Sequence, residues 1–245
     1  MKLNQQPVIM ITGASKGLGY ALLVAFAKQK ARLAICARNS EKLEVAKIEA
    51  ERLGAEVLAV TADVSNIRDV DRFVSLTEEA FGRIDVVINN ASIFGPGPCL
   101  IADYPEDEFS NVIHVNVLNP FLVTKRVLPG MLIRNSGSII NITSEAGKTG
   151  FAEWGAYGIS KFAVEGLTET LADELKETNI RVNMVDPGEM DTEMHHVAVP
   201  DCDYELARPE DITSVFLYLA SLESEGEHGK RFEAQNFVFD RRASK

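Results

Sequence analysis

Short runs of aliphatic and β-branched residues recur along the chain, and each is followed by a longer stretch with a helical repeat. Six of these runs are nearly continuous in hydrophobic character, as expected for strands buried on both faces of a parallel sheet. They are residues 8–12, 32–37, 55–60, 84–89, 137–143 and 180–185. A weaker run at 236–239 predicts a seventh strand.

The stretches between these runs predict helices, because their apolar residues repeat with the spacing of one helix face. They cover 17–30, 40–53, 66–81, about 106–134, about 155–178 and 209–221. Strict alternation of strand and helix implies right-handed crossovers, which place helices on both faces of the sheet. The pattern therefore predicts an α/β fold: a single domain over 1–245, built on a doubly wound parallel sheet. Ligands of such sheets bind beyond the carboxyl ends of the strands.

Composition narrows the range of partners. A net charge of −11 over 245 residues argues against nucleic-acid or anionic-membrane surfaces, which require a basic face. The apolar run near the N-terminus is too short for a signal peptide or a membrane span. Cys36, Cys99 and Cys202 are widely spaced and indicate neither a disulfide framework nor a zinc site. We expect a cytoplasmic protein that acts on a small molecule and holds no metal.

The segment TGASKGLG, residues 12–19, follows the first predicted strand and opens the first predicted helix. Glycines at 13, 17 and 19 permit a tight turn and let backbone N–H groups approach a pyrophosphate. Taken alone, a glycine-rich turn is equally an ordinary strand-to-helix loop. Its place after the first strand favours a dinucleotide site.

The end of the second predicted strand bears on the choice of dinucleotide. A free ribose 2′-hydroxyl is usually held there by an acid, whereas a 2′-phosphate requires a cation. The chain has Ala37 and Arg38 at this point, with no acid before Glu41, and Lys16 can add a second positive charge. Either cation alone could simply be solvated, but the two together predict NADP(H) over NAD(H).

Tyr157 and Lys161 in YGISK lie one helical turn apart, so that both side chains project from one face. By itself this pair is an ordinary helix face. A carbonyl reduction, however, needs a proton donor, and a nearby ammonium favours the phenolate and lowers the pKa of a tyrosine. Ser144, at the end of the fifth predicted strand, can hydrogen bond a substrate carbonyl.

These motifs, taken in order, resemble the short-chain dehydrogenase/reductase family over residues 7–239. The resemblance rests on TGASKGLG, DV at 63–64, NNAS at 89–92, HVNV around Asn116, NITS ending at Ser144, YGISK, and DPGEMDT at 186–192. Each motif alone is permissive, but the ordered set is specific. The resemblance implies a Rossmann-like fold and an oxidoreductase that uses a nicotinamide cofactor.

The resemblance also assigns individual roles. Asn116 would hold a water linked to Lys161, completing a catalytic set with Ser144 and Tyr157. Asp63 and Val64 would lie at the adenine, Asn90 and Ala91 at a ribose, and Pro187, Gly188, Met190 and Thr192 at the nicotinamide. The full set of cofactor residues implied is Gly13, Ser15, Lys16, Gly17, Leu18, Gly19, Arg38, Asp63, Val64, Asn90, Ala91, Tyr157, Lys161, Pro187, Gly188, Met190 and Thr192.

The chain departs from the family pattern at three places. Ser92 and Asp186 stand where the family usually has Gly and Asn, and the tail after Gly229 lacks the usual Asp-Gly-Gly ending. Pro120 cannot donate a hydrogen bond to the carbonyl four residues earlier, so the helix that contains Asn116 is expected to be irregular there.

The substrate side of the site is predicted to be aromatic and acidic. Phe94, Phe151 and Trp154 could wall the pocket, although aromatic residues belong to the core by default. If Glu145, Glu153 and Glu189 face the pocket, they disfavour an anionic substrate and tolerate a polar or cationic one. The adjacent His195 and His196 are better explained by a solvated loop than by a metal site.

The leading hypothesis is an NADPH-dependent reductase of a ketone or aldehyde, acting reversibly on the corresponding alcohol. A narrower hypothesis is a 3-oxoacyl-carrier-protein reductase, for which Lys125, Arg126 and Arg134 are candidate docking residues. The alternative from a different class is a non-catalytic NADP(H)-binding regulator, which would have no need of Ser144 and Tyr157. The resemblance further implies a homo-oligomer, a dimer or a tetramer.

Overall fold

Seven strands and eight α-helices alternate along residues 6–238, the part of the chain that the computed structural model describes. The strands are Val8–Thr12 (β1), Arg32–Ala37 (β2), Glu56–Thr61 (β3), Val86–Asn89 (β4), Gly137–Ile142 (β5), Ile180–Asp186 (β6) and Arg231–Glu233 (β7). The helices are Gly17–Lys28 (α1), Ser40–Arg52 (α2), Ile67–Phe81 (α3), Glu106–Ile113 (α4), Asn119–Arg134 (α5), Gly155–Leu175 (α6), Glu193–Ala198 (α7) and Ser214–Leu219 (α8).

The strands form one sheet in the order β3-β2-β1-β4-β5-β6-β7, and every neighbouring pair is parallel. Ile11 of β1 pairs with Ile35 on one side and with Ile88 on the other. The predicted doubly wound parallel sheet is therefore confirmed. The chain changes direction across the sheet between β1 and β4, and at such a switch point the following loops diverge and leave a crevice.

Helices cover both faces of the sheet and create two apolar layers. One layer packs α1, α2 and α8 against the sheet through residues such as Phe26, Leu43 and Phe216. The other packs α3, α5 and α6 through residues such as Phe73 and Val123. The central strands β1 and β5 are buried at every position, whereas the edge strands β3 and β7 are partly exposed. Continuous hydrophobic runs thus belong to the strands with a helix on each side.

The seventh strand lies earlier in the chain than its pattern predicts, so the prediction of a strand at 236–239 is wrong. Arg231–Glu233 pairs with Met184–Asp186 of β6, and a 3₁₀ turn at Ala234–Asn236 follows it. The apolar pattern arises because Phe237 packs its ring 5.3 Å from that of Tyr218 and 6.2 Å from that of Phe232. The last residue of the predicted strand, Phe239, lies outside the described residues.

The predicted long helix at about 106–134 is interrupted, as the position of Pro120 indicates. A π-helical turn at His114–Leu118 separates α4 from α5, and the N–H of Asn119 bonds the carbonyl of His114, five residues earlier. The stretch predicted at 209–221 divides into a 3₁₀ turn, Pro209–Ile212, and the short helix α8. Within residues 6–238, none of the helices combines the length and apolar character needed to cross a membrane.

Candidate active site

A cavity of about 1020 Å³ opens at the carboxyl edge of the sheet, over the switch point between β1 and β4. It is large enough for a cofactor together with a small molecule. Every residue predicted to contact the cofactor or the substrate, except Glu153, lines it, as do Ser144, Tyr157 and Lys161. Asn116 is buried and does not line the cavity either. The fold thus brings together residues from the ends of six different strands.

The glycine loop is packed too tightly to accept side chains. Gly13 has a φ of +70°, and a Cβ there would stand 2.9 Å from the Cα of Ala91. A Cβ on Gly19 would stand 2.2 Å from the carbonyl oxygen of Gly13. Asn90 closes this corner, since its amide donates to the carbonyl oxygens of Thr12 at 2.9 Å and Gly13 at 3.1 Å. Besides lining the cavity, Asn90 therefore holds the loop in shape.

Helix α1 begins at this loop without a side-chain cap. No side chain accepts from its first N–H groups, and its first turn contains no acid. By contrast, Asn39 caps α2 and Asn66 caps α3 at donor–acceptor distances of 2.8 and 2.9 Å. The first turn of α1 leaves its backbone donors and the positive end of the helix dipole for an anion. This arrangement fits a pyrophosphate.

Cations cluster where the cavity reaches the end of β2 and the start of α2. Lys16 and Arg38 line it as predicted, and Lys42, on the first turn of α2, lines it with them. The carboxylate of Glu193 on α7 pairs with Lys16 and stands 3.5 Å from the ammonium of Lys42. The two lysines hold the pKa of Glu193 below its usual range. The cluster therefore already attracts an anionic group, which fits a 2′-phosphate.

Lys42 was not predicted to be a site residue, although its position in the sequence indicates that it could be one. It follows Arg38 by four residues, and Asn39 between them caps the helix through the N–H of Lys42. Residues in the first turn of a helix that starts at a strand end point back toward that strand end. A cation at this position is thus a third candidate for phosphate recognition.

The predicted adenine end of the cavity is shaped by Asp63. One oxygen of its carboxylate accepts from the N–H and the hydroxyl of Ser65 at 3.0 and 2.7 Å, while its own N–H donates to Asp69. These bonds fix the turn after β3 beside Val64. At the opposite end, Gln235 donates to the carbonyl oxygens of Pro187 and Glu189, at 3.2 and 2.7 Å. The tail without the Asp-Gly-Gly ending therefore braces the predicted nicotinamide loop.

Ser144, Tyr157 and Lys161 converge on the middle of the cavity. Ser144 follows β5, and its hydroxyl acts on the phenol of Tyr157 in the direction that lowers the phenol's pKa. Lys161 is buried, donates to the carbonyl oxygen of Ile142 at 2.9 Å, and places its Nζ 5.3 Å from the centroid of the Tyr157 ring. Helix α6 provides both Tyr157 and Lys161 from one face, as their spacing predicts.

Burial controls the protonation of this group. It raises the pKa of Tyr157 to about 12; the hydrogen bond from Ser144 opposes this, and the Asp186 carboxylate adds to it. The pKa of Tyr157 is therefore raised, whereas a lowered pKa was expected from the proximity of Lys161. The reason is that desolvation of the phenolate outweighs the opposing effect of Ser144. Burial also lowers the pKa of Lys161 to about 8, against the opposing effect of Asp186.

The side chain of Asn116 is buried and hydrogen bonds to other groups of the protein. Its amide donates to the carbonyl of Ile93 at 2.8 Å and to the hydroxyl of Ser160 at 2.9 Å, and its oxygen accepts from the N–H of Ile93 at 2.8 Å. The π-helical turn positions it for these contacts. Ser160 in turn donates to the carbonyl of Tyr157 at 2.6 Å. Through its side chain, Asn116 ties the loop after β4 to the helix that carries Tyr157.

Aromatic rings form one wall of the cavity next to Tyr157. Phe94 stands 5.2 Å from Tyr157 and 5.3 Å from Trp154, and Phe151 stands 5.5 Å from Trp154, measured between ring centroids. Glu145 and Glu189 also line the cavity, while Glu153 does not. Two of the three acids considered from the sequence are therefore placed to act on a substrate.

The two adjacent histidines differ in environment. The expected solvated loop is the short helix α7, and His195 in it is only 8% exposed and lines the cavity. His196 is exposed and hydrogen bonded to Asp191 at 3.0 Å. Among residues 6–238, no group of His, Cys, Asp and Glu side chains is arranged to hold a metal ion.

Comparison with known proteins points to one family. A family model for short chain dehydrogenases matches residues 7–203. YciK of Escherichia coli K12, an uncharacterized oxidoreductase, is 33% identical over 93% of this chain and 91% of its own length. The 3-oxoacyl-[acyl-carrier-protein] reductase FabG of Thermotoga maritima is 35% identical over 89% of this chain and 91% of its own.

The fold is shared with solved structures at comparable identity. A Shigella flexneri 2a protein, solved in complex with NADP, matches with a TM-score of 0.89 and 32% identity, over 95% of this chain and 98% of that one. Similarity therefore extends over nearly the whole sequence and over the fold. The chain belongs to the short-chain dehydrogenase family of oxidoreductases.

Proposed function

We propose that this protein interconverts a ketone or aldehyde with its alcohol, using NADP(H). The observation that carries the proposal is the shared cavity. Ser144, Tyr157 and Lys161 lie in the same space as the uncapped start of α1 and the cations Lys16, Arg38 and Lys42. A proton donor and an anion-binding dinucleotide site are thus combined in one enclosed volume.

The chemistry divides among these residues. When bound, NADPH supplies the hydride. The hydroxyl of Ser144 donates to the substrate carbonyl oxygen and orients it toward Tyr157. Tyr157 donates its phenolic proton to the developing alkoxide, and the ammonium of Lys161 stabilises the phenolate that remains. In the same proposal, the phenolate of Tyr157 is reprotonated from solvent by way of Lys161 and a water that Asn116 would hold.

The preference for NADP(H) rests on charge. Lys16, Arg38 and Lys42 line the cavity at the end of β2, and no acid follows β2 directly in the chain to hold a free 2′-hydroxyl. Glu193, from α7, pairs with the two lysines, and a 2′-phosphate would compete with it for them. The Shigella protein solved with NADP supports the same choice. The non-catalytic regulator is disfavoured, because a pure sensor needs no buried Tyr157 and Lys161 pair with strongly shifted pKa values.

The aromatic wall and the acids define the substrate class. Phe94, Trp154 and Phe151 offer apolar surface for a hydrophobic carbonyl compound, and Glu145 and Glu189 repel a carboxylate. The similarity to a 3-oxoacyl-carrier-protein reductase supports a narrower role. Of the basic residues considered for carrier docking, however, Arg126 pairs with Asp71, and Arg134 donates to the carbonyl of Ile84. A small neutral carbonyl compound is therefore the substrate that we favour.

A panel of carbonyl compounds tests the proposal by the loss of NADPH absorbance. 1-Phenyl-1,2-propanedione and phenylglyoxylate have similar shapes, and only the second is an anion. We expect faster turnover of the neutral compound. Acetoacetyl-coenzyme A tests the 3-oxoacyl alternative. Tight NADPH binding without turnover of any compound would instead favour the regulator.

A further inference from the structure

Three charged side chains are buried together beside the segment that carries Ser144, and one of them, Asp186, lines the same cavity as Tyr157 and Lys161. Arg231 on β7 is 11% exposed, Asp186 at the end of β6 is 8% exposed, and Glu165 on α6 is 13% exposed. Nη2 of Arg231 stands 2.7 Å from Oδ2 of Asp186, and Nε stands 3.1 Å from Oε1 of Glu165. We refer to Arg231, Asp186 and Glu165 as the buried ion cluster.

Each member of the cluster also bonds a segment that forms the active site. Arg231 donates from Nη2 to the carbonyl oxygen of Ser144 at 3.2 Å. Glu165 accepts from the hydroxyl of Thr143, the residue before Ser144, at 2.7 Å. Asp186 accepts from the N–H of Gly188, in the predicted nicotinamide loop, at 2.9 Å. The cluster therefore joins the ends of β5 and β6 to helix α6.

The cluster also acts electrostatically on the catalytic pair. The Asp186 carboxylate raises the pKa of both Tyr157 and Lys161. The other titratable group in contact with Lys161 is Tyr157 on the same helix. Asp186 is itself paired with Arg231, which Glu165, Glu145 and Glu233 also approach.

Stability alone is a poor reason for such a cluster. Removing several charges from water costs free energy that their mutual attraction recovers only in part, and apolar replacements are often equally stable. The guanidinium of Arg231 bonds two buried carboxylates and one backbone carbonyl and also approaches the exposed carboxylates of Glu145 and Glu233, at 3.6 and 3.5 Å. This forked geometry instead indicates a requirement for position.

We propose that Arg231 and Asp186 are positioning residues of the reaction, with Arg231 fixing the backbone at Ser144 and the Asp186 carboxylate keeping Lys161 charged. The kinetic tests of this inference rest on the proposed function, because they measure carbonyl reduction. The inference depends on Asp186, whose carboxylate pairs with Arg231 and lines the cavity with Lys161. The acid and its arginine partner thus form one unit.

The first test is Asp186→Asn, which removes the charge but keeps the shape. The rate of carbonyl reduction falls as pH rises and Lys161 loses its proton, and in this variant the fall is expected at a pH lower by roughly one unit. Glu233→Gln is the matched control, because Glu233 also approaches Arg231, at 3.5 Å, but from the exposed side. A profile of Asp186→Asn that coincides with the wild type would overturn the proposal.

A second measurement does not depend on turnover. NMR titration of ¹³C-labelled lysine, with Lys161 assigned by its absence in Lys161→Arg, reports the pKa of Lys161 directly in the full-length protein. We expect a lower pKa in Asp186→Asn than in the wild type and no change in Glu233→Gln. An unchanged pKa in Asp186→Asn would refute the electrostatic part of the inference even if no substrate were found.

A variant in which all three cluster residues are neutral distinguishes a positioning role of Arg231 from a role in folding. Arg231→Gln alone leaves two buried carboxylates unpaired and is expected to fold poorly. The triple variant Arg231→Gln, Asp186→Asn, Glu165→Gln removes all three charges and is expected to keep wild-type circular dichroism, while its kcat falls at least tenfold. A folded triple variant with wild-type kcat would show that the cluster is structural only.

These outcomes distinguish the inference from the proposed function. Absence of turnover in the wild type counts against the proposed function and leaves the lysine titration as the test of the inference. Turnover in the wild type, with unchanged variants, counts against the inference alone.

Discussion

Tyr157 and Lys161 are buried side by side, and burial moves their pKa values in opposite directions. The phenol has its pKa raised to about 12 and the ammonium has its pKa lowered to about 8, because removal from water disfavours each charged form. At neutral pH both groups therefore hold their protons. A neutral phenol beside a charged ammonium is the arrangement that proton donation to an alkoxide requires.

The pH dependence of reduction follows from the lysine. Lys161 is charged below about pH 8 and neutral above it, and its charge stabilises the phenolate left by proton transfer. We expect kcat for carbonyl reduction to fall as pH rises through about 8. Measurement of kcat at saturating NADPH across this range checks the prediction. A rate that stays constant up to the pKa of Tyr157 would assign no catalytic role to the lysine charge.

Removal of the Tyr157 hydroxyl separates chemistry from binding. Tyr157→Phe removes the proton donor but keeps the ring packed on Phe94, so turnover is expected to fall at least a hundredfold. The affinity for NADPH, measured by fluorescence titration, should change little. Tyr218→Phe is the control, since Tyr218 lies on α8 and bonds Glu227 instead. Comparable turnover of the two variants would contradict the mechanism.

Lys42 tests the cation cluster. Loss of one charge-assisted bond to a phosphate typically costs about 1.5–3 kcal/mol. Lys42→Ala is therefore expected to weaken NADPH binding about tenfold or more, with NADH binding unchanged. Lys47→Ala is the matched control on the same helix, because Lys47 pairs with Glu44 and does not line the cavity. Equal losses for NADPH and NADH would show that Lys42 does not recognise the 2′-phosphate.

At the scale of single elements, an irregular turn within a helix can orient a side chain that a regular helix would point elsewhere. The π-helical turn before Pro120 directs Asn116 toward Ile93 and Ser160. The unbroken pattern of helix α6, by contrast, presents Tyr157 and Lys161 together. Helix α1 has no side-chain cap, and its first N–H groups are therefore available to a ligand.

Pro120 can be used to test the π-helical turn. Pro120→Ala restores a backbone N–H and favours a regular helix, which would rotate Asn116 away from its contacts. We expect a loss of kcat of about tenfold without loss of thermal stability, because the gain in helical hydrogen bonding offsets the lost side-chain bonds. Steady-state kinetics and thermal unfolding of the variant check this. Unchanged kcat would show that the turn is not needed for the position of Asn116.

At the scale of the whole molecule, apolar side chains remain exposed on two neighbouring helices. Phe121, Leu132 and Ile133 on α5, and Ile159 and Phe162 on α6, are each at least 43% exposed. We propose that these side chains belong to an interface between copies of the chain, because exposed apolar residues that lie together mark such interfaces. This surface supports the homo-oligomer that the family resemblance implies.

A charge on this surface should disrupt the oligomer. Ile133→Asp places a carboxylate on α5 and is expected to shift the molecular mass measured by light scattering toward that of one chain. Ile48→Asp is the control, because Ile48 is similarly apolar and exposed but lies on α2. If both variants keep the wild-type mass, then α5 does not form the interface.

Much of the fold and the candidate site could be predicted from local pattern. Six of the seven strands were placed to within two residues, because central strands covered on both faces need continuous apolar side chains. The seventh was misplaced, since an edge strand such as Arg231–Glu233 need not be apolar. Most of the residues predicted for the site line one cavity because parallel strand ends share one edge of the sheet, whereas Lys42 was not predicted.

The sequence by itself determined the order of strands and helices, the glycine loop, and the four-residue spacing that presents Tyr157 with Lys161. Only the tertiary structure decided the direction of the Tyr157 pKa shift, the hydrogen bonds of Asn116 and the pairing of Asp186 with Arg231. The physical reason is the range of each effect. Backbone preference and hydrophobic spacing act between near neighbours in the chain, whereas desolvation and ion pairing depend on segments that only the completed fold brings together.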